Sequence, residues 1–487
     1  MTPLTAHPAP GLARALAVVP ADPEVLLRRL PEALAGIGPA LLPVSAETVD
    51  AEVAFVEHPG GLEGAQVAVD ADVAVVIRTS GSTGSPKRVA LPAEALLASA
   101  RATNTLLASQ IPFTSAGRQS PVPQPSPVTP QPFWLLALPV HYIAGLQVLV
   151  RALAAGTHPV VMPHLVEPQG HFSAEAFVTA TAELAQRAMT ATDELVRQAA
   201  RAQAADSPHH VADATLANIA EQQPALLTAL VPTQLHTLMT AAGTDDSVLT
   251  ALRRYRAILV GGQRTDPEVL QRARDAGVAL VTTYGSSETS GGVVYGFADG
   301  QQRLAHTTLA VRDGAVLISG PTLAREYLGD VDRTAKAFIT FEGRRWFVTG
   351  DVGSLDEKGL TVTGRTDQII STGGVKLDLN EVAQVVHEQP GLGDAVVVPF
   401  EDEKWGTRFA VYADGRPRIT RITRDELNVT LRARLGRHAG AAALTYIDFG
   451  LPLLANGKVD VESLKQTADK LAGSALAAQQ PSPKDAI

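Results

Sequence analysis

Short apolar runs, each closed by Gly, Pro or polar residues, recur along most of the chain. They read VAVVI from Val73, WLLAL from Trp134, HPVVM from His158, AILV from Ala257 and VALVT from Val278. Segments with helical period lie between several of them. Apolar runs of strand length alternating with helices predict α/β layers whose strands are buried on both faces. Around Gly364 the texture changes. The segment from Gly364 to Gly415 reads as loop, helix, strand, loop, strand, which predicts a smaller α+β domain of roughly one hundred residues. The expected organisation is a large N-terminal domain of layered sheets and helices, 1–363, and a small mobile C-terminal domain, 364–470. A disordered tail is expected over 471–487.

Two segments break the pattern and read as insertions. Residues 111–132 are rich in Pro, Ser and Gln without apolar period, so an exposed loop is expected there. Residues 183–223 are rich in Ala and helical by propensity, which predicts one or two surface helices.

Composition narrows the classes. Of 487 residues, 45% are hydrophobic, enough for large cores and against global disorder. The formal net charge of −9 gives no support for a nucleic-acid footprint, which needs a basic face. The absence of cysteine excludes disulfides, thiolate metal sites and a Cys nucleophile. The N-terminus lacks a basic stretch followed by a clean apolar core, so it is not read as a secretory signal. The most apolar long stretch starts at Phe133 and is interrupted by Pro139, His141, Gln147 and Arg151. A spanning helix needs about 20 mostly apolar residues, so this stretch reads as core. A cytoplasmic protein without membrane or nucleic-acid partners is expected.

Chemistry concentrates in loops. TSGSTGSPK, Thr79 to Lys87, follows a predicted strand and offers backbone N–H groups, hydroxyls and a Lys to an anion. It fails the Walker A pattern, because Lys87 follows Pro86 and is followed by Arg88. Taken alone, it leaves a plain polar turn as the lesser alternative. TTYGSSETSGG, from Thr282, embeds Glu288 among small residues, where a carboxylate can hold a hard cation such as Mg²⁺. TGD ends at Asp351, and GRTDQII follows from Gly364. Near the end, NGK places Lys458 in a predicted Asn-Gly hairpin turn.

The order of these five motifs resembles the adenylate-forming superfamily, which holds acyl- and aryl-CoA synthetases, peptide-synthetase adenylation domains and luciferases. Within it, three features resemble the o-succinylbenzoate–CoA ligases of menaquinone biosynthesis. They are the short region before the phosphate loop, the segment ALPVHYIAGLQVLVRALAAGTHPVV, and LVPTQLHTLM with YRAILVGGQRTDPEVL and TYGSSETSGGVVY. The resemblance implies an AMP- and pyrophosphate-forming ligase that uses ATP, Mg²⁺, o-succinylbenzoate and CoA. A homodimer is one assembly open to it.

The resemblance also implies roles. Thr79, Ser80, Gly81, Ser82, Thr83, Gly84 and Lys87 would hold the ATP phosphates. Gly261, Gly262, Gln263, Tyr284 and Gly285 would line adenine, and Asp351 and Arg365 would meet the ribose. Glu288 would be the Mg²⁺ ligand and Ser287 would sit near the α-phosphate, where relatives usually carry Thr. Lys458 would bridge the carboxylate and α-phosphate during adenylation. His141, Tyr142, Gly145, Ser286 and Gly291 would form the acyl pocket, Gly373 and Gly374 the CoA channel, and Asp367 the hinge. The chain departs from the family at Tyr142, where many of these ligases have His, so whether His141 or Tyr142 lines the pocket stays open. It departs again near Ser371, a position that is Lys in many acyl-CoA synthetases. Another aryl or fatty acid, a carrier-protein acceptor, or a non-catalytic nucleotide-binding relative are the competing readings.

Overall fold

The computed structural model describes residues 13–57, 67–79, 87–110, 131–167, 170–205, 224–402, 405–415, 421–454 and 459–477. The chain divides into two compact units. The first takes 1–310, 317–348 and 357–359, and the second takes 311–316, 349–356 and 360–487.

The first unit holds two sheets. One comprises β1 (Ala13–Pro20), β2 (Ala40–Val44), β3 (Ala68–Asp70), β4 (Val73–Thr79), β5 (Lys87–Pro92) and β15 (Glu326–Tyr327), in the order β15-β5-β4-β2-β1-β3. Strands β1, β2 and β4 run parallel, β5 pairs antiparallel with β4, and β15 and β3 add as antiparallel edges on β5 and β1. The other comprises β6 (Pro132–Leu136), β7 (Val160–Val161), β8 (Ala225–Leu230), β9 (Ala257–Gly261), β10 (Leu280–Ser286), β11 (Gly291–Phe297) and β12 (Gly300–Arg303), ordered β12-β11-β10-β9-β8-β6-β7. Its β6 to β10 are parallel, as the apolar runs predicted, and β8 is buried at every position. Helices α1 (Pro23–Leu34), α2 (Val49–Glu57), α3 (Ala93–Gln110), α4 (Ile143–Ala154), α5 (Ala174–Ala205), α6 (Pro232–Ala241), α7 (Asp246–Leu252), α8 (Pro267–Asp275) and α9 (Val331–Ala337) belong to this unit.

A third sheet, β13 (Thr308–Arg312), β14 (Ala315–Ser319), β17 (Arg344–Asp356) and β16 (Phe338–Phe341), carries β18 (Gly359–Arg365) on β17. In the second unit, β19 (Ile369–Thr372), β20 (Val375–Asp378), β21 (Val396–Asp402), β22 (Gly406–Asp414) and β23 (Leu444–Ile447) make a sheet ordered β20-β19-β22-β21, with β23 on β22. It is accompanied by α10 (Leu379–His387), α11 (Arg424–Leu435) and α12 (Val461–Ala477). Leu379, Val382, Val385 and Val386 of α10 pack on Phe409 and Val411 of β22.

The architecture is the α/β one expected, with three local differences. The Ala-rich segment from Glu183 is not a separate surface element over its described part. It continues α5, and Leu184, Ala185 and Ala188 are buried against the second sheet's core, because Ala and Leu at helical spacing form an apolar stripe. Residues 206–223 of that segment and 111–130 of the Pro-rich one lie outside the described residues, and Pro132 already opens β6. In the small unit, the stretch before α10 is a β-hairpin rather than a loop, β19 paired with β20. Its two-residue turn, Gly373 at φ +56° and Gly374 at φ +79°, is the left-handed pair that a tight hairpin needs and that side chains disfavour. Helix α12 extends past Leu471 to Ala477. Among the described residues, no helix is long and apolar enough to cross a membrane.

Candidate active site

In open α/β sheets, ligand-binding loops leave the carboxyl ends of the parallel strands. Three expected segments of the first unit do so. Gly261, Gly262 and Gln263 leave β9, whose Gly261 is paired in register with Thr283 of β10. A Cβ on Gly261 would overlap the Thr283 hydroxyl, so only Gly fits there. Gly262 has φ +85°, which turns the chain off the sheet at once. The Gln263 Nε2 is buried with no hydrogen-bond partner among the described residues.

Tyr284 and Gly285 lie in the last residues of β10, and a Cβ on Gly285 would overlap the Gly291 carbonyl. The tight turn Ser287–Thr289 follows. Thr289 Oγ1 accepts from the Ser286 N–H at 2.9 Å and donates to the Gly291 carbonyl at 2.7 Å, stapling the turn to the start of β11. This buries Ser287 and Glu288. Glu288 is not bare. The Tyr327 hydroxyl donates to its Oε1 at 2.8 Å, and Lys87 Nζ lies 5.7 Å from the centre of the Tyr327 ring. One carboxylate fits a Mg²⁺ that arrives with a nucleotide, since such ions use one or two carboxylates plus substrate phosphates. Among the described residues no group of three or more acidic, His or Cys side chains could hold a metal alone.

Only the stem of the Gly/Ser/Thr loop is described. Thr79 pairs with Lys87 and Arg78 with Arg88 across β4 and β5; Ser80, Gly81, Ser82, Thr83 and Gly84 lie outside the described residues. Beneath that stem sits Glu52 of α2, 1% exposed. Arg88 donates to both its oxygens, at 2.6 and 3.1 Å, and lies over the Phe55 ring. Arg78 Nε is 3.1 Å from Glu52 Oε1 but its N–H points away, so that contact is a charge pair without a hydrogen bond.

The third segment joins β6 to α4. Gly145 packs so closely that a Cβ would overlap the Pro139 carbonyl. His141 and Tyr142 lie side by side, their ring centres 4.2 Å apart. Burial, helped by the nearby Arg78, pushes the His141 pKa down to about 4, so the imidazole is neutral at pH 7. Its Nδ1 is buried and without a partner among the described residues. Burial also raises the Tyr142 phenol, against the pull of Arg78. Both residues therefore share one environment.

Sequence reasoning passed over one side chain here. Arg151 of α4, 4% exposed, has no acidic partner among the described residues. Burial pushes its pKa below the ordinary guanidinium value, with Tyr295 opposing, and its guanidinium lies 5.2 Å from the Trp134 ring centre. One turn back on the same face is Gln147. Both approach Gly291, where an added Cβ would sit 3.4 Å from Gln147 Cγ, 3.8 Å from Arg151 Nη2 and 3.9 Å from Ser99 Oγ. Ser99 Oγ, Gln147 Oε1, Arg151 Nε and Ser290 Oγ are all buried without partners among the described residues. Buried polar atoms are ordinarily paired, so a cluster of unpaired ones around a buried cation is a place for an anion or water. The signal was present as a Gln and an Arg interrupting an apolar helix.

The second unit carries the other expected residues. Asp351 follows Gly350 at φ +78°, and its backbone N–H donates to Thr349 Oγ1. Arg365 Nη1 donates to Asp351 Oδ1 at 2.9 Å, so the two expected ribose residues are brought together. Asp367 lies in a short turn, Thr366–Gln368. Gly373 and Gly374 form the hairpin turn already described, where the Gly373 N–H donates to the Trp405 carbonyl at 2.8 Å. Lys458 lies outside the described residues, between Leu453 and Val459, which form an antiparallel bridge.

The model of the AMP-binding enzyme family matches residues 39–328, and the chain belongs to that family. A relative from Mycobacterium tuberculosis, named probable 2-succinylbenzoate–CoA ligase, is 31% identical over 451 residues, 90% of this chain and 94% of the relative. Among solved structures, a single-substitution variant of E. coli MenE with bound OSB-AMS is similar with a TM-score of 0.62 at 20% identity, over 95% of this chain and 89% of that one. The o-succinylbenzoate CoA synthetase (MenE) from Bacillus subtilis, in complex with the acyl-adenylate intermediate OSB-AMP, is similar with a TM-score of 0.59 at 20% identity, over 93% and 88%. At that identity the structures establish the shared fold.

Proposed function

We propose that the chain is an ATP-dependent ligase that activates o-succinylbenzoate as an acyl-adenylate and passes the acyl group to CoA. The observation that carries the acid's identity is Arg151, a buried guanidinium with no acidic partner among the described residues, ringed by unpaired polar atoms at Gly291. The acid has two carboxylates. The aliphatic one is unhindered and reacts; the aromatic one stays behind as an anion, which a buried cation would hold. The 31% identical relative, similar over nearly its full length, supports the same reading.

Adenylation brings a carboxylate against an α-phosphate, two anions. Thr79 to Lys87 would grip the departing phosphates, and Lys458 would offset the charge at the bond being made. Glu288 would hold the Mg²⁺, whose contribution when bound is to neutralise phosphate charge. Ser287 would sit by the α-phosphate, Gly261 to Gln263 with Tyr284 and Gly285 by adenine, and Asp351 would accept the ribose hydroxyls beside Arg365. His141, Tyr142, Gly145, Ser286 and Gly291 would line the acyl pocket. A small domain beginning near Gly364 and turning at Asp367 would then bring Gly373 and Gly374 to CoA. The cytoplasm suits such a biosynthetic step.

Purified protein with ATP, Mg²⁺ and a panel of carboxylic acids should release pyrophosphate with o-succinylbenzoate, then form its CoA thioester and AMP. Turnover of another acid only, or transfer to a carrier protein but not CoA, would replace the reading with a different ligase of the same family.

A further inference from the structure

We infer that Tyr327 is a positioning residue that serves two parts of the nucleotide site at once, tethering the Glu288 carboxylate through its hydroxyl and seating Lys87 on its ring. The inference rests on the proposed roles of Glu288 and Lys87. It adds a third residue, from a segment that carries none of the recognised motifs.

The register explains how Tyr327 comes to lie there. Strand β15 adds antiparallel to β5, with Tyr327 opposite Val89. Lys87 lies two residues from Val89 and so on the same face, which makes Tyr327 and Lys87 diagonal cross-strand neighbours. Hydrogen bonds from the Arg325 N–H to the Ala90 carbonyl and from the Leu328 N–H to the Arg88 carbonyl, both 2.7 Å, lock that register. The same segment reaches the Glu288 turn directly, since the Ala324 N–H donates to the Glu288 carbonyl at 2.8 Å. Thr334 Oγ1 accepts from the Tyr327 N–H at 3.0 Å and fixes the backbone from its other side. Tyr327 is 4% exposed and Glu288 8%, so their 2.8 Å hydrogen bond is sheltered from water.

The chemistry follows from the two ends of the ring. A phenol hydroxyl donating to Oε1 fixes the carboxylate's rotation and leaves Oε2 to face a cation. Outer partners of this kind orient a metal's ligands, and losing one typically weakens metal binding by 10- to 100-fold. The ring face below Lys87 attracts the ammonium and holds it at one position, where it can meet phosphate oxygens.

The two ends separate by substitution. Y327F removes the hydroxyl and keeps the ring; Y327L removes both. Calorimetric titration of ATP into the full-length protein, in EDTA and at graded Mg²⁺, needs no acid substrate. Y327F should raise the Mg²⁺ concentration for half-maximal tightening of ATP binding by about 10-fold or more. Its ATP affinity in EDTA should stay within about twofold of the unaltered protein. Y327L should share the Mg²⁺ shift and also weaken ATP in EDTA by about 2- to 5-fold. A purely structural Tyr327 would instead give a lower Tm with superimposable Mg²⁺ titrations, and that result would overturn the inference while leaving the ligase reading intact. Failure of the unaltered protein to bind ATP at all would overturn both.

Discussion

Replacing Arg151 by Met should uncouple stability from substrate affinity, and in opposite directions. The guanidinium is 4% exposed and lacks an acidic partner among the described residues. Removing an ion of this size from water costs several kcal/mol even after relaxation. Against that, the contact with the Trp134 face contributes about 1 kcal/mol. The ligand-free protein therefore carries an uncompensated cost. Met fills much the same volume without charge, so R151M should unfold at the same urea concentration or a higher one, by about 0–3 kcal/mol in stability. Catalysis should move the other way. A charge-assisted pair between Arg151 and the retained carboxylate is worth about 2–3 kcal/mol, so kcat/KM for o-succinylbenzoate should fall roughly 30- to 150-fold. The control is 4-oxo-4-phenylbutanoate, which keeps the reactive carboxylate and lacks the aromatic one; its low kcat/KM should barely change. Two results would refute the reasoning. One is R151M destabilised by 3 kcal/mol or more, which would make the cation structural. The other is equal losses with both acids, which would place the retained carboxylate elsewhere.

Stability should also depend on pH through His141, whose folded pKa of about 4 lies below the ordinary 6.5. The unfolded chain takes up a proton first, so stability present above pH 6.5 is lost as pH falls toward 4, by up to about 3 kcal/mol; H141N should flatten the difference in urea midpoint between pH 7 and pH 5. G145A should destabilise the first unit by about 1–3 kcal/mol or more, read as a lower Tm, because its Cβ overlaps the Pro139 carbonyl rather than a side chain that could turn aside. K458A should lower the pyrophosphate-forming half-reaction by about 10²- to 10³-fold while ATP binding measured calorimetrically changes little; an undiminished half-reaction would remove Lys458 from the mechanism.

How legible each feature was in the sequence follows from how far apart its causes lie along the chain. The strands beginning at Val73 and Ala257 were readable because burial on both faces demands continuous apolar runs, a local property. The family was readable because its motifs are contiguous: a loop such as TSGSTGSPK, or Glu288 among small residues, carries its chemistry within a few positions. The hairpin of Ile369–Thr372 with Val375–Asp378 was missed, since four-residue strands are too short to show a period, though its Gly-Gly turn was visible. Burial of Leu184, Ala185 and Ala188 was missed because Ala is equally at home on a helix's wet and dry faces.

The chain by itself thus determined its class and the inventory of charged and small residues the chemistry needs. Only the tertiary structure decided which of those residues share a site. The pairing of β15 with β5 brings Tyr327 to Lys87 and Glu288, and the packing of α3 and α4 against the Ser290–Gly291 turn leaves Arg151 buried without an acid among the described residues. Neither is written in any local pattern, because a side chain's role there depends on partners set beside it by a register and a helix packing that involve dozens of intervening residues.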